Sequence, residues 1–406
     1  MVTKSNLKGR VKVKILITTD LYKPQINGVV TSIINLRSEL EKEGHQVKIL
    51  TISPQLTSFE EDGVYYIKSL PIGVYPNIRF PISCGIKYMK EIIEWKPEVI
   101  HSQCEFFSFN FAVKISKATK APIVHTYHTL YEQYSKYVLG GRIVTPKLLA
   151  LFSKGRMRRV QTVIAPSEKV LKKLEQYRVD SHIEVIPTGI NLDEFYSEKK
   201  EEDIQKLKKQ YGLDHDKKII LSLGRLGFEK RIDEIINGFS MNEKLKNIGV
   251  ILIVGDGPAR ISLEQLAKEK GVDKNIIFVG MVSPKDVSNY YKMADLFVSA
   301  STSETQGLTY VEAAASGLPL VCRYDPCVED LIEQGENGYV YHSMDELSVC
   351  LEKSLTDEKI INIANVKSKD LANKFGKEYF GQQIEDVYRQ SVQYRKKSYQ
   401  IVRNYV

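Results

Sequence analysis

Short apolar runs that stop at a polar, glycine-bearing loop and give way to a helical stretch recur along this chain. Val11–Asp20 turns apolar and ends at the loop Leu21–Gly28. A helix follows from about Val29 to Lys42, with Val30, Ile33, Ile34, Leu36 and Leu40 on one face and Gly44 as its stop. Val47–Ile52 completes a strand–helix–strand unit. Pro97–His101, Ala121–His128, Val160–Pro166 and Ile183–Pro187 continue the beat. It resumes at Ile219–Leu223, Val250–Val254, Ile276–Val279, Leu296–Ala300 and Leu318–Arg323. Strands separated by helices have to run parallel, so the pattern predicts an α/β protein with doubly wound sheets.

At 406 residues the chain favours two domains over one. The crossover falls at about 187–200, where Pro187-Thr188-Gly189 leads into a lysine- and glutamate-rich stretch. We expect Rossmann-like domains over 1–195 and 196–379, with a last helix over about 380–406 packing back on the first. A hydrophobic fraction of 43% supplies real cores and excludes wholesale disorder. No apolar run approaches the ~20 residues of a bilayer span, and the first residues lack the apolar core of a secretory signal. Cys84, Cys104, Cys322, Cys327 and Cys350 stand scattered in apolar contexts, as core thiols of a reducing cytosol do. The net charge of +8 points to an acidic partner without choosing between nucleic acid, anionic lipid and a phosphorylated ligand.

The stretch with the most chemistry is 303–317. It follows the apolar run Leu296–Ala300 and combines a polar loop, Gly307 and a small-residue helix start. A strand, a glycine loop and a helix N-terminus together present backbone N–H groups to an anion. Glu304 and Glu312, eight positions apart, would repel a phosphate but suit hydroxyl groups, so the pair suggests a nucleotide-sugar. Thr309-Tyr310-Val311-Glu312 also fits a capping box, which would give Glu312 a purely structural job. Arg225 and Lys230 follow a strand directly, where a guanidinium fork and an ammonium suit phosphate oxygens, or a solvated ion-paired loop. Asn27-Gly28 reads equally as a plain turn or as a close approach for phosphate. His128 closes a strand at its carboxyl end, where open α/β sheets bind ligands, and also reads as a structural loop histidine.

Residues 136–160 carry Lys136, Arg142, Lys147, Lys154, Arg156, Arg158 and Arg159 among leucines and valines, without an acidic residue. Thr145-Pro146 reads as a helix cap followed by proline at the first helical position. Such a segment is either a surface helix on its core or an interfacial helix on an anionic membrane, with Lys147, Lys154, Arg156, Arg158 and Arg159 as its lipid contacts. The proline-punctuated apolar loop 71–81 could assist it.

Together, Asn27-Gly28-Val29, His128, Gly224-Arg225 with Lys230, Gly255-Asp256-Gly257-Pro258 and Glu304-x7-Glu312 resemble the retaining GT-B glycosyltransferases of family 4 over nearly the whole chain. Within that family, 125–134 and 301–310 look like bacterial diacylglycerol glucosyltransferases. The resemblance implies two Rossmann-like domains facing an interdomain cleft, and transfer of a hexose from UDP-hexose to diacylglycerol or a monoglycosylated form, with retention. It implies catalytic roles for His128, Glu304, Arg225 and Lys230. Asp20, Asn27, Gly28, Gly257, Gln306, Gly307, Leu308 and Glu312 would bind substrate, Glu312 on the ribose. No Asp-x-Asp pair stands where a metal would be held, so no cofactor or metal is expected. The expected setting is the inner face of the cell membrane, with no nucleic-acid partner. A same-fold transferase for a soluble acceptor and a non-catalytic binding module are the alternatives. The module lacks the clustered aromatics of a single-strand platform.

Overall fold

The computed structural model describes residues 12–25, 27–71, 79–82, 85–130, 132, 145–197, 201–213 and 217–404. The lead-in 1–10, Cys84, most of the 71–81 loop and residues 136–144 of the basic stretch therefore lie outside the described residues. The chain forms two compact units, one from Met1–Gly189 with Lys377–Val406 and the other from Ile190–Gly376. The division falls slightly before the 195/196 boundary expected from sequence.

Unit 1 contains an eight-stranded sheet. Its strands are β1 (Lys14–Thr19), β2 (Gln46–Ile52), β3 (Phe59–Glu61), β4 (Val64–Ile67), β7 (Val99–Ser102), β8 (Ile123–Thr126), β9 (Thr162–Ala165) and β10 (His182–Val185). Their order is β10-β9-β8-β7-β1-β2-β4-β3, and every pairing but β3–β4 is parallel. The short ribbon of β5 (Ser69–Pro71) and β6 (Arg79–Pro81) stands apart from it. Between β1 and β2 runs the expected helix, Gly28–Lys42, burying Val30, Ile33, Leu36 and Leu40 at helical spacing. It ends where Gly44 turns left-handed at φ 86° and the His45 N–H returns to the Leu40 carbonyl at 3.0 Å.

The last helix, Lys377–Asn404, packs on Gly28–Lys42. Its Phe380, Ile384, Val387 and Tyr388 join Ile15, Ile17, Val99 and Val124 in one core layer. The other face of the sheet is a second layer, built from Leu16, Ile100, Ile123 and the helix Phe107–Thr119.

Unit 2 is a six-stranded, all-parallel sheet in the order β13-β12-β11-β14-β15-β16. The strands are β11 (Lys218–Leu223), β12 (Gly249–Val254), β13 (Ile276–Gly280), β14 (Leu296–Ser299), β15 (Leu320–Arg323) and β16 (Gly338–Tyr341). Its faces carry two further core layers. Sequence pattern missed the β3–β4 hairpin and β16. Val64–Ile67 is buried at all four positions and no helix precedes it, so it offered no alternation to read.

Candidate functional site

In unit 2 the chain runs outward from β11 to β12 and β13, then crosses back to lay β14 on the other side of β11. The loops leaving β11 and β14 diverge there, which opens a crevice above their carboxyl ends. One loop carries Gly224, Arg225 and Lys230; the other carries Glu304, Gln306 and Gly307. Lys230 Nζ donates to Glu304 Oε1, with the two side chains 22% and 19% exposed. Arg225 is half-buried on the same loop.

The neighbouring loops are laced together. Leu226 N–H donates to the Asp256 carbonyl at 3.0 Å, and Ala259 N–H donates to the Leu226 carbonyl at 2.9 Å. A Cβ on Gly257 would sit 2.5 Å from that Leu226 oxygen. Gly257, a sequence candidate for substrate contact, is thus required by loop packing in its own right.

Gly307 stands at φ 80° as the cap of the helix Leu308–Ala315, and a Cβ there would meet the Tyr310 ring at 2.4 Å. Gln306 is buried beside it and Leu308 opens the helix. Ser301 and Ser303 share a hydroxyl contact at 3.0 Å, and Ser299 donates to the Tyr310 hydroxyl at 3.1 Å. Cys327 Sγ donates to the Glu304 carbonyl at 3.5 Å, tying this loop to the one after β15. The helix thus begins at a fixed loop that aims its first N–H groups and positive dipole end upward.

The capping-box reading of Glu312 fails on geometry. Gly307 caps the helix, so Thr309 lies inside its first turn. Glu312 Oε2 instead accepts from the buried Tyr291 hydroxyl at 2.8 Å. Burial pushes the Glu312 carboxyl up to about 7; the Tyr291 hydrogen bond opposes the shift and Glu194 adds to it.

Unit 1 has its own divergence point, because β1 lies between β2 and β7. After β1, the Asp20 carboxylate accepts from the N–H groups of Ser108 at 2.6 Å and Phe107 at 3.2 Å. Asp20 therefore anchors the start of the helix Phe107–Thr119, a structural task the sequence reading did not give it. Burial raises its pKa while those helix N–H groups oppose the shift. Asn27 Oδ1 accepts from Val30 N–H at 3.0 Å and so caps the helix whose first residue is Gly28.

His128 follows β8, and its Nε2 lies 2.6 Å from Oε1 of Gln103, which follows β7. Burial, then the neighbouring His125, drives the His128 pKa down to about 3. His125 Nε2 lies 3.2 Å from Glu105 Oε1, both side chains being buried. Sequence reasoning missed Gln103 and Glu105. Their signal is a polar cluster, Gln103-Cys104-Glu105, directly past an apolar strand.

The expected cap at Thr145 and proline start of the helix Pro146–Met157 are present. Its five proposed lipid-contacting cations divide. Lys147, Arg158 and Arg159 are exposed, as are Leu148 and Leu151. Lys154 pairs with Asp180 at 3.2 Å. Arg156 donates to Asn110 Oδ1 at 2.6 Å and lies over the rings of Phe109 and Phe152. Phe106, also exposed, stacks on Phe152. No helix among the described residues is long and apolar enough to cross a membrane.

Two Rossmann-like units, with an ammonium–carboxylate pair joining two loops at the carboxyl ends of the second sheet, define a GT-B glycosyltransferase architecture. Glycosyltransferase Family 4 matches residues 26–194, and Glycosyl transferases group 1 matches residues 203–374. Alpha-monoglucosyldiacylglycerol synthase of Streptococcus pneumoniae is 34% identical over 92% of this chain and 85% of its own length. The protein of that name from Acholeplasma laidlawii is 31% identical over 92% of this chain and 96% of its own. Among solved structures, Anabaena HepE in complex with UDP and glucose superposes with a TM-score of 0.70 at 19% identity, over 93% of this chain and all of that one. Sucrose-phosphate synthase from Thermosynechococcus elongatus superposes with a TM-score of 0.75 at 20% identity, over 93% and 98%. The chain belongs to glycosyltransferase family 4, with the GT-B fold.

Proposed function

We propose that this glycosyltransferase moves a hexose, glucose by preference, from UDP-hexose to the hydroxyl of diacylglycerol or of monoglycosyldiacylglycerol, with retention at the anomeric carbon. The observation that carries the donor half is the Lys230–Glu304 pair, which joins the loop after β11 to the loop that leads into the Leu308–Ala315 helix. An ammonium, the nearby Arg225 guanidinium and a helix N-terminus match the charge of a departing diphosphate. Glu304 suits the sugar hydroxyls and Glu312 the ribose. The acceptor half rests on the two glucosyldiacylglycerol synthases at 34% and 31% identity.

In the proposed step the bond from the anomeric carbon to the phosphate oxygen breaks. The acceptor oxygen bonds to the same face of that carbon, and its proton passes to the leaving phosphate. UDP and the glycosylated lipid are the products. Arg225 and Lys230 stabilise the departing charge, so this route assigns no step to a metal. Lys147, Arg158, Arg159, Leu148 and Leu151 form a basic-apolar surface suited to the anionic inner face of a cell membrane.

The test is thin-layer chromatography of products from purified protein given UDP-glucose or UDP-galactose with diacylglycerol or its monoglucosyl form. An α-linked glucolipid is expected. UDP release without any lipid product, under all four pairings, would mean transfer of the hexose to water alone and would count against a lipid acceptor.

A further inference from the structure

The contact between Gln103 and His128 joins loops that follow two adjacent strands, and it is built on both sides. Gln103 is 2% exposed, and its backbone N–H donates to the Thr18 carbonyl at the end of β1 at 2.8 Å. Its amide oxygen lies 2.6 Å from His128 Nε2. A carbonyl oxygen can only accept, so Nε2 holds the proton and the Nδ1 of a neutral ring holds the lone pair. The amide nitrogen of Gln103 is buried and has no protein partner among the described residues. An unpartnered buried N–H₂ costs free energy unless a bound hydroxyl or water takes it.

We propose that Gln103 is a positioning residue for transfer: its amide oxygen fixes the His128 tautomer and ring, so that Nδ1 accepts from a substrate hydroxyl, and its amide nitrogen donates to a neighbouring oxygen of the bound sugar. This inference rests on the assignment of His128 to the transferred sugar. An amide fixes a tautomer without adding charge. A carboxylate in its place would draw a second proton onto the ring. Among the described residues, His125, which is paired with Glu105, opposes charge on His128, and His128 in turn opposes charge on His101, which bonds Tyr388 and Thr126. Burial already holds His128 neutral near pH 7. Its work is therefore hydrogen-bond acceptance and not acid catalysis.

The experiment uses the full chain labelled with ¹⁵N-histidine, assigned by difference from His128→Asn, together with steady-state turnover of UDP-glucose. Wild type is expected to show the Nε2–H tautomer at His128. Gln103→Leu is expected to mix the tautomers and to lower kcat on the order of tenfold to a hundredfold, with a smaller change in KM for the nucleotide-sugar. Gln103→Glu is expected to keep the Nε2–H tautomer and move the acid limb of the pH–rate profile upward. Wild-type kcat and unchanged His128 nitrogen shifts in Gln103→Leu would overturn the proposal. Should that variant not fold, the same readings on Gln103→Met decide in the same way, and an acid limb of the pH–rate profile that does not move in Gln103→Glu would count against the contact. Full activity of His128→Asn would remove the role given to His128, whereas a tautomer that survives Gln103→Met would remove only the role given to Gln103.

Discussion

The Tyr388 hydroxyl and His101 Nδ1 meet at 2.7 Å across 287 residues of sequence. The other ring nitrogen of His101 lies 2.8 Å from Thr126 Oγ1. Both contacts are buried, so the last helix is fastened to β7 and, through the imidazole, to β8. Tyr388→Phe should leave a ring nitrogen unpartnered and cost about 1–3 kcal/mol, read as a lower thermal midpoint. Ending the chain at Gly376 removes Phe380, Ile384, Val387 and Tyr388 from one core layer. At roughly 1.5–3 kcal/mol for each buried side chain, the loss rivals the ~5–15 kcal/mol stability of a whole domain. Hydrogen exchange should find β1, β7 and β8 unprotected in that truncation.

Lys230 is paired with Glu304, on the loop that leads into the helix Leu308–Ala315. Lys230→Met should lower turnover of UDP-glucose by roughly a hundredfold to a thousandfold, as loss of one preorganised electrostatic group does. Glu304→Gln should weaken sugar discrimination more than UDP affinity. Product-release assays with UDP-glucose, alongside calorimetry with UDP alone, separate the two. Equal losses of UDP binding in both variants would contradict the split.

The raised carboxyl of Glu312 has two consequences of opposite sign. Its folded pKa of about 7 lies above the value of 4.5 for an unburied glutamate. Between those values the folded state holds the extra proton, so stability falls as pH rises through that window and stays low above it. Glu312→Gln should therefore raise the thermal midpoint of the free protein above about pH 7 and leave it unchanged below about pH 4.5. The side chain is half-buried, so the gain is put at roughly 1–2 kcal/mol. UDP affinity should move the other way. Ribose hydroxyls donate best to an ionised carboxylate, so wild-type binding should tighten as pH climbs through about 7 while Glu312→Gln stays weak and flat. Calorimetric titrations across that range check both curves.

The helix Pro146–Met157 and its flank give a graded expectation for lipid binding. Replacing exposed Lys147, Arg158 and Arg159 by Ser should release the protein from anionic vesicles, at ~1 kcal/mol for each cation lost, without shifting the melting temperature. Arg156→Ser should also destabilise the fold, because that guanidinium covers Phe109 and Phe152 and bonds Asn110. Co-sedimentation with vesicles of stated anionic content, paired with melting curves, distinguishes the two groups. Undiminished binding by the Lys147, Arg158 and Arg159 triple variant would count against this surface.

The parallel sheets were readable because alternating strands and helices leave few other topologies. The loops that carry Arg225, Lys230, Glu304 and Gly307 were readable for the same reason, since each directly follows an apolar strand. What escaped depends on neighbours that only the sheet order creates. Gln103 reaches His128 because β7 lies beside β8. Glu312 meets Tyr291 from a different helix, while its local sequence suggested a cap that Gly307 in fact provides. Arg156 looked like one more surface cation because its aromatic cover comes partly from the helix Phe107–Thr119. Asp20 was expected only to bind substrate, because the helix it caps starts nearly ninety positions later.

The chain leaves unit 1 at Gly189 and returns to it only at Lys377. On a ribosome, every strand of the unit 1 sheet therefore emerges before the helix that completes one of its faces exists. Unit 2, lying wholly within the intervening stretch, has all its parts first. The usual order, in which the amino-terminal domain folds ahead of the rest, is reversed at the level of completion. Until Phe380, Ile384, Val387 and Tyr388 are made, the nascent chain shows part of an apolar sheet face around Ile15, Ile17, Val99 and Val124, a ledge on which a chaperone can hold it.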